Sequence, residues 1–131
     1  TDSITDYNGK EVRLATFIQE NRENLVLKPG SGYGGKGVYV GRKTASDEWD
    51  EVLKLALKEE RWLVQEYVEL SPFLYRSGKN DTTLHDMVWG FLTCGSHYAG
   101  GFLRVMPKEG SRGVINIHQG ARFSIILQVE K

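Results

Sequence analysis

The sequence predicts an α+β fold with two helices and a mainly antiparallel sheet, and three observations predict it. Apolar residues recur at i, i+3 and i+4 in two separate segments, around residues 10–22 and 46–58. Runs of β-branched and aromatic residues, bounded by glycine, proline or asparagine, recur along the rest of the chain. The order is helix, hairpin, helix and then strands, and a helix lying between strands that flank a glycine loop fits an α+β sandwich.

Each element has its own reason. Leu14, Phe17 and Ile18 make a short amphipathic stripe over 10–22, which the polar run 21–24 ends. Leu25, Val26 and Leu27 read as a buried strand, stopped by Pro29, which has no N–H to give to a ladder. A glycine-rich hairpin follows, to about residue 41. Ser46 is placed to cap the next helix, with Asp47 and Glu48 in its first turn and Lys58 near its end. Trp49, Val52, Leu53, Ala56 and Leu57 form its core stripe. Residues 62–68 read as a strand carrying a Gln-Glu pair, and 71–81 as a loop. Residues 84–93 and 98–106 read as two strands joined by a turn at 94–97, with Trp89 expected in the core. After a loop at 107–112 come 113–116, a turn at Gln119-Gly120, and a last strand over 123–129.

The stretch LVLKPGSGYGGKGVYVG (residues 25–41) packs five glycines into residues 30–37. It matches G-x-G-x-x-G twice and nearly matches G-x-x-x-x-G-K-[ST], but both fingerprints need a helix after the glycines. Val38, Tyr39 and Val40 follow instead, and Gly37 stands where the second motif needs a hydroxyl. What remains is strand, glycine loop, strand. Such a tip lets backbone N–H groups approach an anion, and Lys28 can set an ammonium beside it. The plainer reading is a surface hairpin.

Lys plus Arg number 17 and Asp plus Glu 17 in 131 residues, so no overall basic footprint points to nucleic acid. Cys94 is alone, which excludes an internal disulfide and cysteine-based zinc sites; it reads as a small strand residue. His85, His97 and His118 show no metal-ligand spacing. No apolar run approaches a membrane span. A soluble, cytoplasmic setting is expected, with residues 1–131 as one fragment of a longer polypeptide.

Three segments in order, LVLKPGSGYGGKGVYVG, then WLVQEYVE after one helix, then YAGGFLRV followed by GVINIHQGA, resemble the ATP-grasp ligases. The resemblance covers residues 25–121. It is with the circularly permuted group that includes glutathionylspermidine synthase-like proteins, in which the metal-binding strands precede the Lys-Pro segment. It implies an ATP-grasp-like fold with a glycine-loop and hinge lobe at about 25–70 and a second strand layer at about 83–131.

The resemblance also implies roles. Lys28 corresponds to a lysine reaching an ATP phosphate, and Gly32, Tyr33, Gly34, Gly35, Lys36 and Gly37 to the loop over the β- and γ-phosphates. Gln65, Glu66, Tyr67 and Val68 correspond to the adenine hinge, where Glu66 or a backbone carbonyl accepts from the amino group and the Val68 N–H donates to the ring. Glu69 is placed for a ribose hydroxyl. Arg104 corresponds to the catalytic cation facing the transferred phosphoryl, and Asn116 to a polar contact at the same end. The implied activity joins a carboxylate to an amine or thiol through an acyl phosphate, with ATP and Mg²⁺.

Two departures bear on the metal. Val114 stands two before Asn116, where the family has an acidic residue, and Asp86-Met87-Val88 lacks the arginine of Asp-x-Arg. No metal ligand is therefore assigned to this chain, and the remainder of the polypeptide is expected to supply them. Glu66 and Arg104 can also be read as surface strand residues, and Asp86 as a strand-edge polar group. The competing functions are a nucleotide-binding regulatory module without catalysis and a β-rich protein-interaction domain.

Overall fold

In a computed structural model of the chain, residues 3–59, 61–76, 78 and 81–126 are described. They form an α+β fold with two α-helices and antiparallel sheets. The chain divides into two compact units, Thr1–Val68 and Glu69–Lys131.

The first unit opens with a hairpin of β1 (Ile4–Tyr7) and β2 (Lys10–Arg13). Asn8 and Gly9 take positive φ values of 53° and 77°, the left-handed pair that a tight hairpin turn needs. Residues 10–13, expected to begin the first helix, therefore turn back as a strand, and α1 spans only Leu14–Glu20. A three-residue 3₁₀ turn at Arg22–Asn24 leads into β3 (Leu25–Pro29). The glycine loop then returns the chain to β4 (Tyr39–Val40), antiparallel to β3, so the expected hairpin is present with a shorter second strand.

Helix α2 spans Ser46–Glu59. Its Trp49 N–H bonds the Ala45 carbonyl at 2.9 Å, which puts Ala45 at the cap position and Ser46 in the first turn, not capping it. Asp47 and Glu48 lie in that turn and Lys58 in the last, each favourable to the helix dipole. Trp49, Val52 and Leu53 pack with Ile18 of α1 and Leu25 and Leu27 of β3 as the core. Ala56 is buried, but Leu57 is 44% exposed, so the stripe ends one residue early. Strand β5 (Trp62–Glu66) lies on the other side of β3, giving a sheet ordered β4-β3-β5.

The second unit is a four-stranded antiparallel sheet, β6 (Phe73–Arg76), β7 (Thr82–Cys94), β8 (His97–Pro107) and β9 (Arg122–Ser124), in that order. Strand β6 falls where a loop was expected: Pro72 and Gly78 flank four residues that pair with β7 from Phe73↔His85 to Arg76↔Thr82. The β7–β8 hairpin turns at Gly95 and Ser96, with Gly95 at φ 61°. Residues 113–116 are not a strand. Part of the expected last strand, 127–129, lies outside the described residues. Trp89 is 48% exposed, stacked at 6.2 Å on Phe91 of the same sheet face, and is no core residue of this unit.

Among the described residues no helix is long and apolar enough to cross a membrane.

Candidate functional site

The glycine loop of the first unit lines a cavity of about 410 Å³ with Lys28, Pro29, Lys36, Val38 and Leu63. That volume is in the range of small-ligand sites. Its lining holds two lysines and no carboxylate, so it favours an anion. Gly32, Gly34, Gly35 and Gly37 have φ of 151°, 69°, 73° and 71°, values that side chains with a Cβ rarely adopt. Two successive turns form the tip, Lys36 N–H to the Tyr33 carbonyl and Val38 N–H to the Gly35 carbonyl, both at 3.4 Å. Lys36 Nζ lies 5.6 Å from the centroid of the exposed Tyr33 ring.

Strand alternation decides which side chains share this site. Lys28 pairs with Leu63 and Val26 with Gln65, so Lys28, Leu63 and Gln65 project from one face of the sheet. Leu25 and Leu27 project from the other, into the core. On the open face Lys28 Nζ donates to Gln65 Oε1 at 2.6 Å. A neutral amide thus orients the ammonium without cancelling its charge.

The same alternation sorts the backbone of β5. Tyr67 N–H bonds the Asn24 carbonyl at 2.8 Å and Gly30 N–H bonds the Arg61 carbonyl at 2.6 Å, so the even-numbered residues of β3 face β5. On β5 the odd-numbered residues face β3. The Glu66 carbonyl then points to the side where no described strand pairs with β5, and Val68 follows two residues beyond the end of the strand. Pro29 fits this pattern too, since its missing N–H falls on a rung that needs no bond to β5. Arg42 reaches back from the segment after β4, its guanidinium 4.3 Å from the Tyr67 ring centroid.

The Glu66 carboxylate projects away from Lys28 and Gln65. There Tyr7 Oη donates to Glu66 Oε1 at 2.5 Å, and the Tyr7 ring packs on Phe17 at 4.6 Å. Hydrogen bonding to the carboxylate, then loss of water, then its negative charge hold the phenol above its ordinary value of 10.0. The neutral phenol is the donor, so the tie is intact at neutral pH and is lost as pH rises through the raised folded-state value. Glu66→Gln is expected to move the Tyr7 titration back towards its ordinary range, read by NMR of the tyrosine ring. An unmoved titration would show that Glu66 is not its cause. Sequence reasoning missed Tyr7, although the Asn8-Gly9 pair was the signal for the hairpin that carries it.

Glu69, Arg104 and Asn116 belong to the second unit. Arg104 lies on β8, opposite Val88 on one side and Phe123 on the other. Asn116 caps the 3₁₀ turn Ile117–Gln119: its Oδ1 accepts from the His118 N–H at 3.0 Å, and its carbonyl accepts from Gln119 and Ala121. The structure thus brings Lys28, the glycine loop, Gln65 and the 66–68 backbone onto one unit. Among the described residues, no three His, Cys, Asp or Glu side chains gather to hold a metal ion.

The chain is similar to a curated protein of Frankia casuarinae named "Putative glutamate--cysteine ligase 2-2", at 34% identity over 71 residues. That match spans 53% of this chain and 8% of the relative, so the chain corresponds to a small part of it. No family model matches the chain. No solved structure matches it.

Proposed function

We propose that the first unit binds ATP, as the nucleotide-binding portion of an ATP-dependent ligase of the ATP-grasp type. The observation that carries this reading is the cavity under the glycine loop, with two lysines and no carboxylate in its lining. Lys28 and the loop backbone take the phosphates, the Glu66 carbonyl and the Val68 N–H take the adenine edge, and Gln65 keeps the Lys28 ammonium in place. The Glu66 side chain, engaged by Tyr7, leaves the backbone carbonyl as the acceptor for the adenine amino group. The relative's name, a ligase of glutamate and cysteine, supports a carboxylate joined to an amine or thiol.

In this reading the whole protein forms an acyl phosphate, and positive charge offsets the repulsion between the two anions that meet. The resemblance assigns Arg104 to that charge and Glu69 to a ribose hydroxyl. Mg²⁺, when bound, would offset the negative charge of the phosphates, and no ligand for it is assigned among the described residues. A nucleotide-binding module without catalysis shares the same first unit, and Val114 in place of an acidic residue favours it. ADP release by a longer chain that includes the missing carboxylates separates the two.

The test of the nucleotide site itself is competition between ATP and GTP together with hydrogen exchange. ATP is expected to bind more tightly, because guanine presents a carbonyl where adenine presents the donor that the Glu66 carbonyl accepts. Binding is expected to slow exchange at Gly34 and Gly35, as backbone amides of a loop come to order on phosphate. Equal affinities remove the hinge. Unchanged exchange removes the phosphate lid.

A further inference from the structure

The second unit carries two buried polar atoms with no partner, Asp86 Oδ1 and Arg104 Nε. Val88 pairs with Arg104 and Asp86 with Met106, so the two side chains stand on the same face of the sheet, diagonal to one another. Among the described residues no ion pair joins them. Buried groups of this kind are rare in folded proteins, and an absent ligand or ion is one of their ordinary explanations.

The arrangement is built rather than incidental. Gly90 lies opposite Phe102 on the ladder, and a Cβ at Gly90 would run into the Phe102 ring. The ring therefore lies across Gly90, and it meets Phe123 edge-on at 5.8 Å. The Arg104 guanidinium sits 5.7 Å from the centroid of that ring, a cation–π contact that fixes the cation without using its N–H donors. Asp86 and Arg104 are half-buried, with Oδ1 and Nε themselves shut off from solvent, and Phe123, 65% exposed, offers apolar surface on the same face.

We propose that Asp86 and Arg104 form a binding site for a small zwitterion, its ammonium on Asp86 and its carboxylate on Arg104. One orphan accepts and the other donates, so an anion or a cation alone satisfies only half of the site. A short chain of methylenes between the two charges lies against Val88 and Phe123. Within the ligase reading this ligand is an amino-acid co-substrate; that assignment rests on the reading, whereas the site rests on the second unit alone.

The experiment titrates the 131-residue chain with glycine, β-alanine and 4-aminobutyrate, using butyrate and butylamine as single-charge controls, and follows backbone amide shifts. The best zwitterion is expected to bind at least about tenfold more tightly than either control, since it makes one more charge-assisted hydrogen bond. Its shifts are expected to centre on β7 and β8, and Asp86→Asn, which keeps the side-chain shape, is expected to remove the advantage over butyrate. Equal binding of zwitterion and controls overturns the proposal, as does the absence of shifts at residues 86 and 104, or the same shifts with magnesium chloride alone. ATP added to the same sample reads the amides of 30–37 separately. Loss of the ATP response with the zwitterion response kept sinks the ligase assignment and leaves the site; the reverse sinks the site and leaves the nucleotide reading.

Discussion

Trp49→Ala is expected to destabilise the first unit by about 3–5 kcal/mol, the usual cost of truncating a fully buried large aromatic side chain. Trp49 is 0% exposed and touches the core that α2 shares with α1 and β3. One effect works against the loss. The Trp49 Nε1–H has no hydrogen-bond partner, so removing the indole also removes an unsatisfied donor, which costs about 1–3 kcal/mol when buried. The net value is therefore expected in the lower half of the range. Trp49→Phe separates the two contributions, because it keeps most of the ring and deletes the donor. Denaturant unfolding of the three proteins is the measurement. A loss below about 1 kcal/mol for the alanine variant would show that the indole is not central to this core.

Lys28→Ala is expected to weaken ATP binding roughly ten- to hundredfold, since a charge-assisted contact to phosphate contributes about 1.5–3 kcal/mol. Little stability is expected to change. Lys28 projects from the open face of β3, while its neighbour Leu27 fills the core at 0% exposure. Calorimetric titration with ATP and a thermal melt of the same variant give both halves of the result. Parental affinity in a folded variant would remove Lys28 from the phosphate site. Gln65→Ala is a gentler version of the same experiment, because it frees the ammonium without deleting it.

Local signals made much of the fold legible. The stripe from Trp49 to Ala56, the run Leu25-Val26-Leu27 and the Gly95 turn each depend on residues within a few positions of one another. The first hairpin was equally local, yet the apolar residues 14, 17 and 18 drew residues 10–13 into a helix that the Asn8-Gly9 turn forbids. Strand β6 was hidden for another reason: Pro72 and Gly78 look like loop chemistry, and only pairing with β7 makes the four residues between them a strand. The loop glycines and Lys28 that line the cavity stand together in the sequence. Which of the 65–68 groups face outward could not be read from it, because that depends on which rungs of β3 and β5 bond. The setting of Arg104 was hidden as well, since Gly90 and Phe102 meet only through the register of β7 on β8.

Pro29 ends β3 at one end of the glycine loop, and its ring also lies where a Cβ on Gly37, at the other end, would come within 3.3 Å. A single rigid ring thus acts as a fulcrum for both ends of the loop. A segment whose ends are already held together has fewer conformations to surrender when it settles on a ligand. The rest of the loop can remain glycine-rich while the entropy lost on ordering it stays small. The same geometry leaves Gly37 little latitude. A side chain there meets both a left-handed φ and the proline ring, so the fulcrum fails at its far end.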